Sequence, residues 1–177
     1  MWRIISSREI YKHPRLTLVE DVIELPDGGK TTYLKFKDIG DAVTVVCRNA
    51  KGQILLQREY SHPIGKVLWQ TPGGKIEKDE DVVDAANREL QEESGFKAKR
   101  LKVIGKYLLD NRRSKAYMHI VLAEDIEQSK LPADIGESVE SHWMAVADIK
   151  QKITNQEIEH VHVLAALTLF ELSNQKD

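Results

Sequence analysis

Several features that would classify a sequence at once are missing from this one. There is one cysteine, Cys47, in 177 residues. No disulfide can form within the chain, which excludes a scaffold stapled by disulfides. Cys47 closes the apolar run Ala42–Cys47 and reads as a small hydrophobe of a buried strand rather than as a nucleophile. An excess of positive charge is missing too: 26 Lys and Arg face 28 Asp and Glu, giving a formal net charge of -2. That excludes the broad basic surface of a non-specific nucleic-acid binder. A small phosphate-bearing substrate stays open, because a few placed cations and a metal can hold it locally. The opening residues, Met1-Trp2-Arg3-Ile4-Ile5-Ser6, contain no apolar stretch of signal-peptide length. No run approaches bilayer-spanning length. A cytoplasmic protein with no membrane partner is the expectation. Internal repeats, low-complexity tracts and blocks of like charge are also lacking.

What is there is ordinary globular material, 41% hydrophobic and 31% charged, enough to close one core. Leu16–Leu25 is rich in β-formers and stops at Pro26-Asp27-Gly28-Gly29, a turn signal. Thr31–Phe36 alternates and predicts the return strand of a hairpin. Ala42–Arg48, the turn Asn49-Ala50-Lys51-Gly52 and Gln53–Tyr60 predict a second hairpin. Residues 61–78, with Pro63, Gly65, Pro72, Gly73 and Gly74, read as irregular. From Asp79 the pattern is helical, with Val83, Ala86 and Leu90 on one arc and Gly95 placed to end the helix. Leu101–Leu109, Ala116–Ala123 and a segment within Gly136–Ala145 predict strands. Ala147–Lys152 and Glu157–Leu172 predict helices, the second apolar at Val161, Leu164, Ala165, Leu167, Thr168 and Leu169. In that helix His160 and His162 are expected on different sides. Strands around a central helix, with another helix near the end, predict a mixed sheet between helices, an α/β/α or α+β sandwich. Residues 1–40 form an N-terminal β extension to a main domain at 41–177.

The chemistry lies in Gly74–Phe96. Glu89, Glu92 and Glu93 stand at i, i+3 and i+4, an arc of roughly 100° beside the apolar arc. Like charges this close cost a helix a few tenths of a kcal/mol per pair. A divalent cation reverses that cost, and Mg²⁺, a hard ion, prefers a few carboxylates plus waters and substrate phosphates. Mn²⁺ suits the same ligands. Gly73-Gly74 permits close backbone approach just before the helix. Arg88 can pin a carboxylate bidentately and hold the others in register.

Gly74, Glu80, Arg88, Glu89, Leu90, Glu92, Glu93, Gly95 and Phe96 together match the Nudix box at every position, and the chain resembles the Nudix hydrolases. The resemblance implies a Nudix-type α/β/α sandwich. It implies that Glu89, Glu92 and Glu93 hold divalent cations, with Gly74 adding a backbone carbonyl. It also implies that Arg88 orients the acids by ion pairing and that Glu80 helps place the helix. The implied reaction is attack of water on phosphorus in a nucleoside diphosphate linked to another moiety.

The N-terminal part resembles the ADP-ribose and nucleoside-diphosphate-sugar pyrophosphatases, through Leu25-Pro26-Asp27-Gly28 and Gln57-Arg58-Glu59-Tyr60. That branch implies a homodimer built on the N-terminal strands. No proline occurs between Pro72 and Pro132, where the ADP-ribose group carries one beyond the box, so the wider sugar-nucleotide class is expected over ADP-ribose itself. The resemblance implies a late-loop glutamate as base. Glu137 is preferred, with Glu140 as alternative and Glu92 or Glu93 within the box as further choices. Arg58 and Arg112 are candidate phosphate contacts, with Arg113 and Lys115 beside them. Trp69 and Tyr60 are placed in core or rim packing. Two other functions remain: cleavage of nucleoside triphosphates or dinucleoside polyphosphates, and a non-catalytic nucleotide sensor.

Overall fold

The computed structural model describes residues 1–132 and 139–175. The chain falls into two compact units, Met1–Asp41 with Tyr107–Tyr117, and Ala42–Lys106 with Met118–Asp177. Among the described residues no helix is long and apolar enough to cross a membrane.

The first unit carries a three-stranded antiparallel sheet of β1 (Arg3–His13), β2 (Leu16–Glu24) and β3 (Lys30–Lys37), with β2 central. Alternation works on β2 as the period of a strand requires: Val19, Asp21 and Ile23 are buried. The buried Asp21 is compensated by Lys35 and by the Ser7 hydroxyl at 2.6 Å, since a buried carboxylate needs partners. The hairpin between β2 and β3 turns at the expected Pro26–Gly29, closed by Gly28 N–H donating to Leu25 O at 3.0 Å. β1 is exposed along its whole length.

The second unit contains β4 (Ala42–Cys47), β5 (Ile54–Ser61), β6 (Lys66–Gln70), β7 (Gly73–Lys75), α1 (Val82–Ser94), β8 (Phe96–Leu108), β9 (Tyr117–Gln128), β10 (Val139–Met144), α2 (Val146–Thr154) and α3 (Val161–Asn174), β8 and β9 running on into the first unit. The strands form two sheets, β7-β4-β9-β8 and β10-β5-β6. β4 runs parallel to β9 and antiparallel to β7. It is buried on both faces, which is why it reads as a continuous apolar run. Val43, Val45 and Cys47 pack with Ala85, Ala86 and Leu90 of α1. Val46 packs with Ile149 of α2 and Val163, Ala166, Leu167 and Phe170 of α3. Helices therefore cover the two faces of β4, the mixed α+β sandwich the sequence predicts. Each such fully buried aliphatic contributes about 1.5–3 kcal/mol.

Four local expectations are corrected. Ala42–Arg48 and Gln53–Tyr60 do form strands joined at Asn49–Gly52, but they are not a paired hairpin. The bridge Arg48↔Ile54 and the bond from Asn49 N–H to Gln53 O join them at the turn before they part into different sheets. Residues 61–78 are not wholly irregular, because β6 and β7 lie within them. The last helix starts at Val161 rather than Glu157, and it buries Val163, Ala166, Leu167 and Phe170 while Val161 is exposed. That helix is apolar on nearly every side, so periodicity could not select the buried stripe. Finally, His160 and His162 are not on different sides of a helix. His160 is the extended N-cap of α3, and the two rings meet edge to face with centroids 4.7 Å apart.

Candidate active site

Helix α1 begins where Asp81 caps it, its side chain accepting from Val83 N–H at 2.8 Å. It ends at Gly95, whose N–H donates to Gln91 O. Between these caps the buried positions Ala85, Ala86 and Leu90 fix one face against β4. Their spacing leaves Glu89, Glu92 and Glu93 on the neighbouring edge.

Arg88 organises this edge. Its Nε and Nη2 donate to the two carboxylate oxygens of Glu80 at 2.8 and 3.0 Å. Nη1 donates to Glu89 at 2.8 Å and to Glu92 at 3.0 Å. Nη2 also reaches the Lys75 carbonyl at 3.0 Å. One planar guanidinium thus ties the loop before α1, the end of β7 and two acids of the helix, which a lysine could not do. The hydrogen bonds from Arg88 hold the Glu80 carboxyl below its ordinary range, and Glu80 is the largest cause raising Arg88. Glu80 in addition accepts from Glu77 N–H at 2.9 Å, which closes the loop leading into the helix.

The third acid is seated on backbone. Glu93 accepts from Gly73 N–H at 3.0 Å. Gly73 has φ 156, and a Cβ there would lie 2.2 Å from the Val43 carbonyl oxygen. Only glycine lets the chain press so closely on β4. At Gly74 a Cβ would lie 2.5 Å from Glu89 Oε1. The Glu89 carboxylate therefore rests on the Gly74 backbone, in the space a side chain would take. The sequence singled out these two glycines, and the structure joins each of them to one acid of the cluster.

The donor chemistry fits a hard divalent cation: three carboxylates on one helical edge, with a glycine backbone against one of them and Arg88 on one oxygen of each of two. Among the described residues no three acidic, His or Cys side chains are grouped closely enough to hold a metal ion by themselves. Mg²⁺ needs no such closed group, since it keeps waters and takes ligands from substrate phosphates.

The remaining predicted residues fall as follows. Arg58 lies on β5, 3.9 Å from Glu140 and 5.7 Å from the Trp69 ring. It shares the strand face of Leu56, which packs toward α2 and α3. Arg112 belongs to the first unit, where its carbonyl accepts from the Tyr33 hydroxyl at 2.5 Å. In the same unit Arg113 lies over the Tyr33 ring. Trp69 is half-buried against the second core cluster, edge-on to His142, and Tyr60 is exposed. Glu140 is exposed on β10 and lies 3.2 Å from His142 Nε2. Glu137 lies outside the described residues. Burial pushes the Cys47 thiol up to about 12, which suits the inert hydrophobe read from the sequence.

Sequence reasoning missed two supports. Asn87 locks α1 to β8 through a two-way pair with Ala98, donating to its carbonyl at 3.2 Å and accepting from its N–H at 3.0 Å. Thr44 and Thr71 share a buried hydroxyl contact between β4 and the residue before Pro72. Neither carries a spacing signal, because each partner lies far away along the chain.

A family model described as NUDIX domain matches residues 38–167. One described as Nucleoside diphosphate sugar hydrolase N-terminal domain matches residues 2–33. The chain is 26% identical over 172 residues to an ADP-ribose pyrophosphatase of Bacillus subtilis, covering 96% of this chain and 92% of that protein. It is 26% identical over 166 residues to the ADP compounds hydrolase NudE of Escherichia coli, covering 93% and 89%. A crystal structure of an ADP compounds hydrolase superposes with a TM-score of 0.92 at 23% identity, covering 99% of this chain and 95% of that one. That last likeness concerns the fold.

Proposed function

Because the chain belongs to the NUDIX domain family, matched over residues 38–167, we propose that this hydrolase cleaves the pyrophosphate bond of a sugar nucleotide or related ADP compound with Mg²⁺. The products are a nucleoside monophosphate and a sugar phosphate. The observation that carries the reading is the acid edge of α1, tied by Arg88 to Glu80, Glu89 and Glu92 and by Glu93 to the Gly73 backbone. The match of residues 2–33 to a nucleoside diphosphate sugar hydrolase N-terminal domain and the activities for which the relatives are named support the substrate class.

In this reading Glu89, Glu92, Glu93 and the Gly74 carbonyl hold the cation, with Mn²⁺ as an alternative. When bound, such an ion polarises the phosphate oxygens and offsets charge on the leaving group. Arg88 keeps the carboxylates in register before the ion arrives. A glutamate takes the proton of the attacking water. Glu137 is the first choice, and Glu140, Glu92 and Glu93 are the alternatives. Arg58 and Arg112 are proposed to meet substrate phosphates. Arg58 must leave Glu140 to do so.

Residues 1–40 are read as a dimer-forming extension of the hydrolase domain at 41–177. The exposed Trp2, Ile4, Ile5, Ile10 and Tyr11 supply the apolar surface a second copy would cover. A cytoplasmic setting suits such substrates.

The test is purified protein with Mg²⁺ against ADP-ribose, ADP-glucose, GDP-mannose, dinucleoside polyphosphates and oxidised dGTP, with products separated by chromatography. Nucleoside monophosphate plus sugar phosphate is the expected result. Pyrophosphate released from a triphosphate would replace it with a sanitising role. Metal binding without turnover of any compound would leave a nucleotide sensor.

A further inference from the structure

Gln57 is fully buried, at 0% exposure. Among the described residues neither its amide nitrogen nor its amide oxygen has a hydrogen-bond partner. Leaving both ends of an amide unpaired in the interior is costly, and an apolar side chain would avoid that cost. The neighbours on β5 do avoid it: Ile54, Leu55 and Leu56 are all buried and apolar.

Strand geometry gives the surroundings. Side chains two apart share a face, so Gln57 lies on the face of Leu55, which packs with Ala85, Ala86 and Leu90 of α1. Directly across on β6 is Gln70, and across on β10 is Ser141. Gln70 makes no hydrogen bond to Gln57; its amide nitrogen donates to Glu59 instead. Ser141 is exposed, so this face opens to solvent one strand away. From Gln70 the chain runs through Thr71 and Pro72 to Gly73, the residue whose N–H is bound by Glu93. The unpaired amide thus sits on the sheet face packed against α1, opposite the residue that leads into the glycine pair of the acid site.

We propose that Gln57 takes part in the reaction directly, its buried amide holding one O–H group in the substrate complex. An amide offers one acceptor and two N–H donors side by side. A phosphate oxygen would satisfy only the donors and a cation only the acceptor. A hydroxyl or a water satisfies both. Two sources supply that group: the attacking water, or a sugar hydroxyl of the nucleotide. This inference rests on the hydrolase reading above.

The experiment replaces Gln57 by Met, which keeps length and removes both polar atoms, and by Leu as a second shape. Wild type, Gln57→Met and Gln57→Leu are compared by thermal melting and by steady-state kinetics on the best substrate of the panel. The expected result is a melting temperature equal to or above wild type, with kcat/KM lowered at least tenfold. A loss confined to kcat identifies the attacking water, and a rise confined to KM identifies the substrate hydroxyl. Kinetic constants within twofold of wild type in both variants overturn the proposal. In the wild type, the Gln57 side-chain amide resonances are expected to shift on adding a substrate analogue with a methylene bridge in place of the scissile oxygen. No shift at saturation overturns the proposal independently of how the variants fold. An inactive wild type would instead remove the hydrolase reading itself.

Discussion

Arg88 grips Glu80 with both arms of its fork, Nε to one carboxylate oxygen at 2.8 Å and Nη2 to the other at 3.0 Å. Its remaining nitrogen reaches Glu89 and Glu92. Lysine offers one point charge and cannot make this set of contacts. Arg88→Lys is expected to lower stability by about 2 kcal/mol, the scale of a lost charged hydrogen bond, seen as an earlier denaturant midpoint. It should also lower kcat, because two acids lose their common anchor. Unchanged kcat would remove Arg88 from the positioning of the acids.

The two glycines before the helix separate stability from activity. Gly73→Ala places a methyl 2.2 Å from a backbone carbonyl at φ 156, and main chain cannot yield cheaply. A loss of about 1–3 kcal/mol is expected. Gly74→Ala meets only the end of the Glu89 side chain, at 2.5 Å, which can swing aside. It should melt near wild type yet bind Mg²⁺ more weakly. Calorimetric melting beside metal titration checks both, and a Gly74→Ala protein with wild-type metal affinity would refute the placement of Glu89.

Glu92→Gln and Glu93→Gln keep shape while removing the charge and turning one acceptor oxygen into an NH2 donor. If these acids hold the cation, each variant should lose at least about a hundredfold in kcat, since metal charge stabilisation is worth several kcal/mol and each 1.36 kcal/mol is tenfold. Far-UV circular dichroism should stay unchanged. Activity at wild-type level in either variant would exclude that residue from the metal set.

His160 and His162 should make the fold less stable toward acid. Burial lowers both below the ordinary histidine range of 6.5, so the unfolded chain takes up protons first. Stability is then full above about pH 6.5 and falls as pH drops below it. The flanking Glu157 and Glu159 are engaged with Lys152 and Lys66 and offer these rings no free counter-charge. Melting temperature between pH 7.5 and 5.5 should decline, and His160→Asn should flatten that slope. An equal slope in the variant would place the titration elsewhere.

The acid edge was legible because its pattern is local: carboxylates at helical spacing just after a pair of glycines. Gly74, Glu80, Arg88 and the three glutamates lie within one short stretch. The sheet was less legible. β4 and β5 look like a hairpin because turn chemistry is local, whereas their real partners, β7 and β9 or β6 and β10, lie farther along the chain. Three-residue β7 and five-residue β6, set among prolines and glycines, are too short for alternation to register. Gln57 was read only as part of a strand match. Its meaning depends on which groups fail to meet it, and a sequence does not state that.

The parallel pairing of β4 with β9, Ala42 opposite Met118, sets an order of events at the ribosome. Every acid of α1 emerges before β9 does. Until β9 arrives, β4 is a bare strand edge carrying Val43, Val45 and Val46, the kind of surface that recruits stray strands. Closing so long a loop is also slow. The nascent chain therefore carries its reactive segment early and secures it late, and a truncation ahead of Met118 should yield aggregates rather than a smaller enzyme.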